Sequence, residues 1–179
     1  MRRRKFLNEE LNRLNVDEFK KAKKIPLVVV LDNIRSKNNI GSVFRTSDAF
    51  LVEKIFLCGI TATPPNAEIH KTALGSTDSV DWEYEEDTLA VVEKLKKDGY
   101  FIYAIEQTEN SLKLSHALDF KVEKAAVILG HEVRGVQQKV VEECDGTIEI
   151  DQYGTKHSLN ISVCAGIVIW EFAQRLFKQ

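Results

Sequence analysis

The chain has 179 residues, 44% apolar and 29% charged, with a formal net charge of −2, which fits one soluble globular domain with a core of its own. It has no apolar run of about 18–20 residues, so no membrane span is expected, and no long apolar stretch follows the basic Met1-Arg2-Arg3-Arg4-Lys5, so no secretory signal is expected either. The three cysteines, Cys58, Cys144 and Cys164, are widely spaced, form neither a CxxC pair nor a disulfide framework, and fit a reducing cytoplasm.

Charge is distributed unevenly. Residues 1–24 hold nine Lys or Arg and four Asp or Glu, a local +5 that leaves the rest of the chain at −7. Leu7, Leu11 and Leu14 fall on one helical face. Asn15 and Glu18 form a capping box for a second short helix reaching Lys24, where Pro26 stops it. Residues 1–25 therefore read as a basic helical arm that could meet phosphates, and residues 26–179 as the main domain.

Leu27 to Leu31 is a continuous apolar, largely β-branched run, the mark of a strand buried on both faces. A polar turn, Asn33 to Asn39, leads into a helix predicted from Ile40 to about Leu51, and Lys54 to Cys58 is a second strand. Ile60 to Glu68, with Pro64-Pro65, reads as a loop. Thr88 to Lys97 is an amphipathic helix with Gly99 placed to close it. Tyr100–Ile105 and Ala125–Leu129 are further strands, followed by a helix from Val136 to Cys144, a short strand from Thr147 to Ile150 and a long helix from His157 to Phe177. Strand and helix alternate, so an α/β domain with a mostly parallel sheet is expected.

There is no GxGxxG after a strand, no GxxxxGK[ST] and no HExxH, which argues against dinucleotide enzymes, P-loop enzymes and zinc peptidases. No metal site is expected. Three polar, glycine-containing segments each follow a predicted strand, where ligands sit in open α/β sheets. The first is Asn38 to Thr46. It carries Asn39, which could cap a helix starting near Ile40, and Arg45, which could be a surface ion-pair residue. The second is Ile128 to Val136. Gly130 would let a ligand approach the backbone closely, and Glu132 could hold a neighbouring side chain or cap the next helix. The third is Ile148 to Val163, which places Ser158 and Asn160 in the first turn of an apolar helix, where such polarity needs partners.

Together the segments resemble the three motifs of the SpoU (TrmH-like) branch of the SPOUT methyltransferases. Asn39 to Phe50 resembles N-x-G-x-x-x-R-T-A-x-A-F, Leu129 to Gly135 resembles L-G-N-E-x-x-G, and Gly154 to Val163 resembles G-x-x-x-S-L-N-V-S-V. The order agrees, and the likeness spans roughly residues 27 to 177. The resemblance implies a Rossmann-like, mostly parallel sheet with a C-terminal deep trefoil knot (the SPOUT fold), a topology that patterning would never propose. It also implies a homodimer that transfers methyl from S-adenosylmethionine to a ribose 2′-hydroxyl of RNA. Gly130, Ile150 and Leu159 would line the cofactor pocket. Arg45, Glu132, Ser158 and Asn160 would line the catalytic site with Asn39 close by, the arginine coming from the partner subunit. His131 stands where the family usually has Asn, and Asp151 where Pro is common, so the cofactor loops depart from the pattern. The short chain with its N-terminal arm resembles tRNA-modifying members more than ribosomal ones. The rival reading is a non-catalytic RNA-binding factor with a retained fold. A generic nucleotide-binding enzyme lacks a phosphate-loop signature.

Overall fold

The continuous apolar runs become the inner strands of a parallel sheet. The computed structural model describes residues 3–116 and 122–177. Met1 and Arg2 of the basic arm, and residues 178 and 179 of the main domain, lie outside the described residues. The strands are β1 (Ile25–Asp32), β2 (Val52–Cys58), β3 (Trp82–Glu85), β4 (Phe101–Ile105), β5 (Leu112–Lys113), β6 (Ala125–Leu129) and β7 (Gly146–Glu149). They lie in the order β3-β2-β1-β6-β4-β7-β5, with every neighbouring pair parallel. The helices are α1 (Val16–Lys21), α2 (Lys37–Ala49), α3 (Ala67–Ala73), α4 (Ser76–Ser79), α5 (Thr88–Lys97), α6 (Gln138–Glu143) and α7 (Ile161–Leu176).

The alternation of side chains along each strand divides the core in two. Leu27, Val29 and Leu31 of β1 join a cluster with residues of α2, α3 and α7, while Val28 and Val30 join one with α5 and α6. Each such fully buried aliphatic side chain stabilises the fold by roughly 1.5–3 kcal/mol of transfer free energy. Pro26 lies within β1 and has no N–H to give the ladder; the β1–β2 register shifts between Ile25 and Val28.

The N-terminal leucine face does not become a helix. Only a 3-10 turn, Asn8–Leu11, forms there, and Leu7 and Leu14 remain 63% and 50% exposed. A short helix is marginal unless it buries its apolar face, and this protomer offers that face nothing. The capping box does form: the Asn15 side chain accepts from the Glu18 N–H at 2.9 Å, and Glu18 accepts from the Asn15 N–H at 2.9 Å. That helix ends at Lys21 rather than Lys24, and its Phe19 is buried in the core.

Two helix starts differ from expectation. The second helix begins at Lys37, capped by Ser36, so Asn39 lies inside the first turn and not at the cap. The last helix begins at Ile161, capped by Asn160, whose Oδ1 accepts from the Ser162 N–H at 2.9 Å. Ser158 is therefore outside the helix, and both Ser158 and Asn160 are exposed in the protomer rather than buried. The strands β3 and β5 and the helix α4 had no expectation, and α3 begins at Ala67, inside the stretch to Glu68 expected as loop; all four are short and carry weak periodicity.

Candidate active site

Parallel strands send their following loops to one end of the sheet, and there the three segments meet. The loops after the adjacent strands β6, β4 and β7 enclose a cleft of about 580 Å³. Gly130, Glu132, Ile150, Ser158, Leu159 and Asn160 all line it; Asn39 and Arg45 do not.

Asn39 stands at the mouth, tied to the cleft residues by hydrogen bonds. Its Nδ2 donates to Glu132 Oε1 at 3.2 Å, and its Oδ1 accepts from Asn160 Nδ2 at 3.3 Å. Asn39, Glu132 and Asn160 thus form one chain of contacts drawn from α2, the loop after β6 and the cap of α7. Glu132 holds more than a side chain. Its two oxygens accept from the backbone N–H groups of Arg35 and Ser36 at 3.0 and 2.9 Å, which fixes the entry to α2 and not the following helix. Arg45 lies further along α2, exposed, and among the described residues it makes no hydrogen bond or ion pair.

Burial pushes the Glu132 pKa up, but the Arg35 and Ser36 N–H groups and the Asn39 amide outweigh it and hold the carboxyl below the usual glutamate range. The stability this network contributes is therefore present above the ordinary glutamate pKa and lost as pH falls through the lowered one. Thermal melts should show wild type more stable than Glu132→Gln at neutral pH, with the gap closing in that acidic window. A gap that stays constant down to full protonation would contradict the charged-acceptor assignment.

Gly130 lines the cleft and is also required by the fold of its own loop. A β-carbon there would meet Val136 N at 2.0 Å and Gly135 C at 2.1 Å, so the loop folds onto its own glycine. His131 turns that loop. Its Nδ1 accepts from the N–H groups of Val133 and Arg134 at 3.0 and 3.3 Å, the bonds an asparagine oxygen would accept, so the departure from the family pattern keeps the turn.

Sequence reasoning missed two carboxylates at strand ends. Asp32 closes β1 and is fully buried; it accepts from Thr88 Oγ1 at 2.6 Å, from Gln137 N at 3.0 Å, from Gln137 Nε2 at 2.8 Å and from Asn33 Nδ2 at 2.8 Å. It ties the end of the Gly130 loop to β1 and α5. Glu106 follows β4 and lines the cleft. The signal was present in both cases: an acid directly after a buried apolar strand, at the end where ligands sit.

Comparison with known proteins identifies the family and the fold. The profile of the SpoU rRNA Methylase family matches residues 26–170. The 23S rRNA (guanosine-2'-O-)-methyltransferase RlmB of Neisseria meningitidis is 28% identical over 176 residues, 97% of this chain and 69% of that protein. The crystal structure of the A. aeolicus TrmH/SpoU tRNA modifying enzyme superposes with a TM-score of 0.76 at 27% identity, covering 89% of this chain and 79% of that one. The AdoMet-bound rRNA methyltransferase from Sinorhizobium meliloti shares the fold, with a TM-score of 0.79 at 24% identity over 88% of this chain and 60% of that one. The chain spans between 57% and 70% of the first curated relatives that it matches. On the motif order, the parallel sheet and the profile match over most of its length, the chain belongs to the SpoU methyltransferase family.

Proposed function

We propose that the chain is an S-adenosylmethionine-dependent enzyme that methylates a ribose 2′-hydroxyl in tRNA or rRNA, and that it works as a homodimer. The observation that carries this reading is the meeting of Asn39, Glu132 and Asn160, from three separate motifs, beside a cleft at the carboxyl ends of β4, β6 and β7. The cleft fits the donor. It has the size of a small-molecule site, with an apolar floor that includes Leu129, Ile148 and Ile150 and a polar rim. Gly130, Ile150 and Leu159 would hold S-adenosylmethionine, which when bound supplies a methyl group on a positively charged sulfur.

The chain's own residues orient the acceptor and manage its charge. Glu132 locks the Gly130 loop to the start of α2, and Asn39 and Asn160 continue that bond network to the mouth, where Ser158 adds a hydroxyl for the incoming ribose. In-line attack requires the 2′-oxygen at near-attack distance. As its proton passes to water at the open mouth of the cleft, negative charge grows on that oxygen, and a guanidinium stabilises it electrostatically. A guanidinium is a poor base because it is almost never neutral, so Arg45 serves as cation and clamp.

Two features support the dimer. Arg45 has no partner among the described residues of its own protomer, and α7 carries an apolar stripe on its exposed side as well as on its buried one. Its inner face, with Ile161, Ala165, Ile169 and Phe172, is buried, while Val163, Ile167 and Trp170 leave a second stripe exposed. An exposed apolar stripe beside a buried face marks an interaction surface. A second copy on that stripe would bring Arg45 to the neighbouring cleft. The family resemblance supports a deep trefoil knot over the C-terminal part of the main domain, residues 26–179. The basic arm, residues 1–25, supplies phosphate contacts in this reading.

The test is transfer of radiolabelled methyl to tRNA and to rRNA taken from cells lacking the gene, with the product mapped as a 2′-O-methyl nucleotide. Both RNAs belong in the assay, because the Neisseria relative is named for rRNA and the A. aeolicus one for tRNA. Labelling at one site is expected. Tight RNA and donor binding without transfer to either RNA would favour the non-catalytic RNA-binding factor instead.

A further inference from the structure

The cleft holds a second carboxylate that the chemistry above leaves unused. Glu106 directly follows β4, and its N–H donates to Ile148 O at 3.0 Å, which fixes its backbone to β7. Its Oε1 accepts from the Val136 N–H at 2.8 Å. The Gly130 loop closes down on that oxygen: a β-carbon at Gly135, where φ is +68°, would meet it at 2.2 Å. Among the described residues Oε2 accepts no hydrogen bond, and no Lys, Arg or His pairs with this side chain. One oxygen is anchored, the other accepts nothing, and the side chain lines the cleft. A half-buried carboxylate of that kind costs desolvation free energy unless a ligand donates to it.

We propose that Glu106 recognises the ribose of the methyl donor, its carboxylate accepting hydrogen bonds from the vicinal 2′- and 3′-hydroxyls. The inference rests on the methyl-donor reading of this cleft and goes beyond it, because the family resemblance implies a cofactor held largely by backbone groups. An ionised carboxylate is acceptor-only, so its partner must donate, and a vicinal diol presents two O–H donors side by side. Glu132 cannot take this role, since its oxygens already accept from Arg35, Ser36 and Asn39. The residues around Glu106 set the orientation. Ile105 precedes it and is paired with Ile148 across β4 and β7, an apolar floor suited to a purine. A purine on that floor puts its sugar beside Glu106 and leaves the sulfur end for the Glu132–Asn39–Asn160 side.

Calorimetric binding of 5′-methylthioadenosine, its 2′,3′-dideoxy analogue and S-adenosylhomocysteine tests this without any turnover. Wild type is expected to prefer 5′-methylthioadenosine over the dideoxy analogue by about 10- to 100-fold, the range of a hydrogen bond to a charged group. In Glu106→Ala the two should bind within about 2-fold of each other, and Glu106→Gln, which can still accept from Val136, should lie between. No preference in wild type, or a preference that survives in Glu106→Ala, would overturn the proposal. So would a loss confined to S-adenosylhomocysteine, which would place the amino-acid ammonium at Glu106 instead. Failure of wild type to bind any of the three would overturn the methyl-donor reading itself, an outcome distinct from a failure of Glu106 alone.

Discussion

Replacing Arg45 with alanine is expected to lower the single-turnover rate of methyl transfer by about 10²–10³-fold, the cost of removing one preorganised group that stabilises developing negative charge. Arg45→Lys keeps the charge but loses the planar fork, so it should recover only part of the rate. Donor affinity should stay near wild type in both variants, because Gly130, Ile150 and Leu159, and not Arg45, are the residues proposed to hold the donor. Near-wild-type turnover in both would remove Arg45 from the chemistry. Mixing chains tells where the arginine acts. A dimer of one Arg45→Ala chain and one Asn160→Ala chain has an intact site only if the arginine crosses to the partner. A random mixture should then regain about a quarter of wild-type activity, since half the dimers are mixed and each has one intact site of two. No recovery would rule out an arginine that acts in the partner's site.

A charge on the outer stripe of α7 should be as damaging, by a different route. Ile167 and Trp170 are 38% and 49% exposed, so an aspartate at either position meets water in the single protomer and leaves its folding intact. In the proposed interface the same charge would be buried without a partner, at a cost of about 3–5 kcal/mol, or roughly 10²–10⁴-fold in dimer dissociation constant. The double variant Ile167→Asp/Trp170→Asp should sediment as a monomer, keep its circular dichroism, and lose methyl transfer because each site lacks the partner's Arg45. A variant that remains dimeric, or a monomer with full activity, would refute the assignment of this face.

Much of the scaffold could be read in the chain because its signals are local. Strand β1 announced itself as an unbroken apolar run, and the alternation of its side chains between two cores is why no polar residue interrupts it. The helix α5 was read at its full extent from its amphipathic spacing and from Gly99, which at φ +82° closes it; the structure adds Asp87 as its cap. The helix at Leu7–Leu14 was misread because its leucine spacing is also local, whereas helix formation there depends on a surface to pack against. The starts of α2 and α7 were placed wrongly for a related reason: several residues in a row could cap, and the choice falls to distant partners. Ser36 caps α2 while Glu132, from a segment 96 residues away, holds its N–H, which frees the Asn39 side chain for the cluster.

Amino-acid order alone determined the α/β class, the candidate residues and the family, since hydrophobic period and motif spacing survive without coordinates. Tertiary structure decided which of those candidates meet. It joined Asn39, Glu132 and Asn160, left Arg45 outside the cleft of its own protomer, and revealed Glu106 and Asp32 as two further carboxylates anchoring the Gly130 loop. The physical reason is that hydrogen bonds between residues 93 to 121 positions apart depend on strand order in the sheet, which no local pattern encodes.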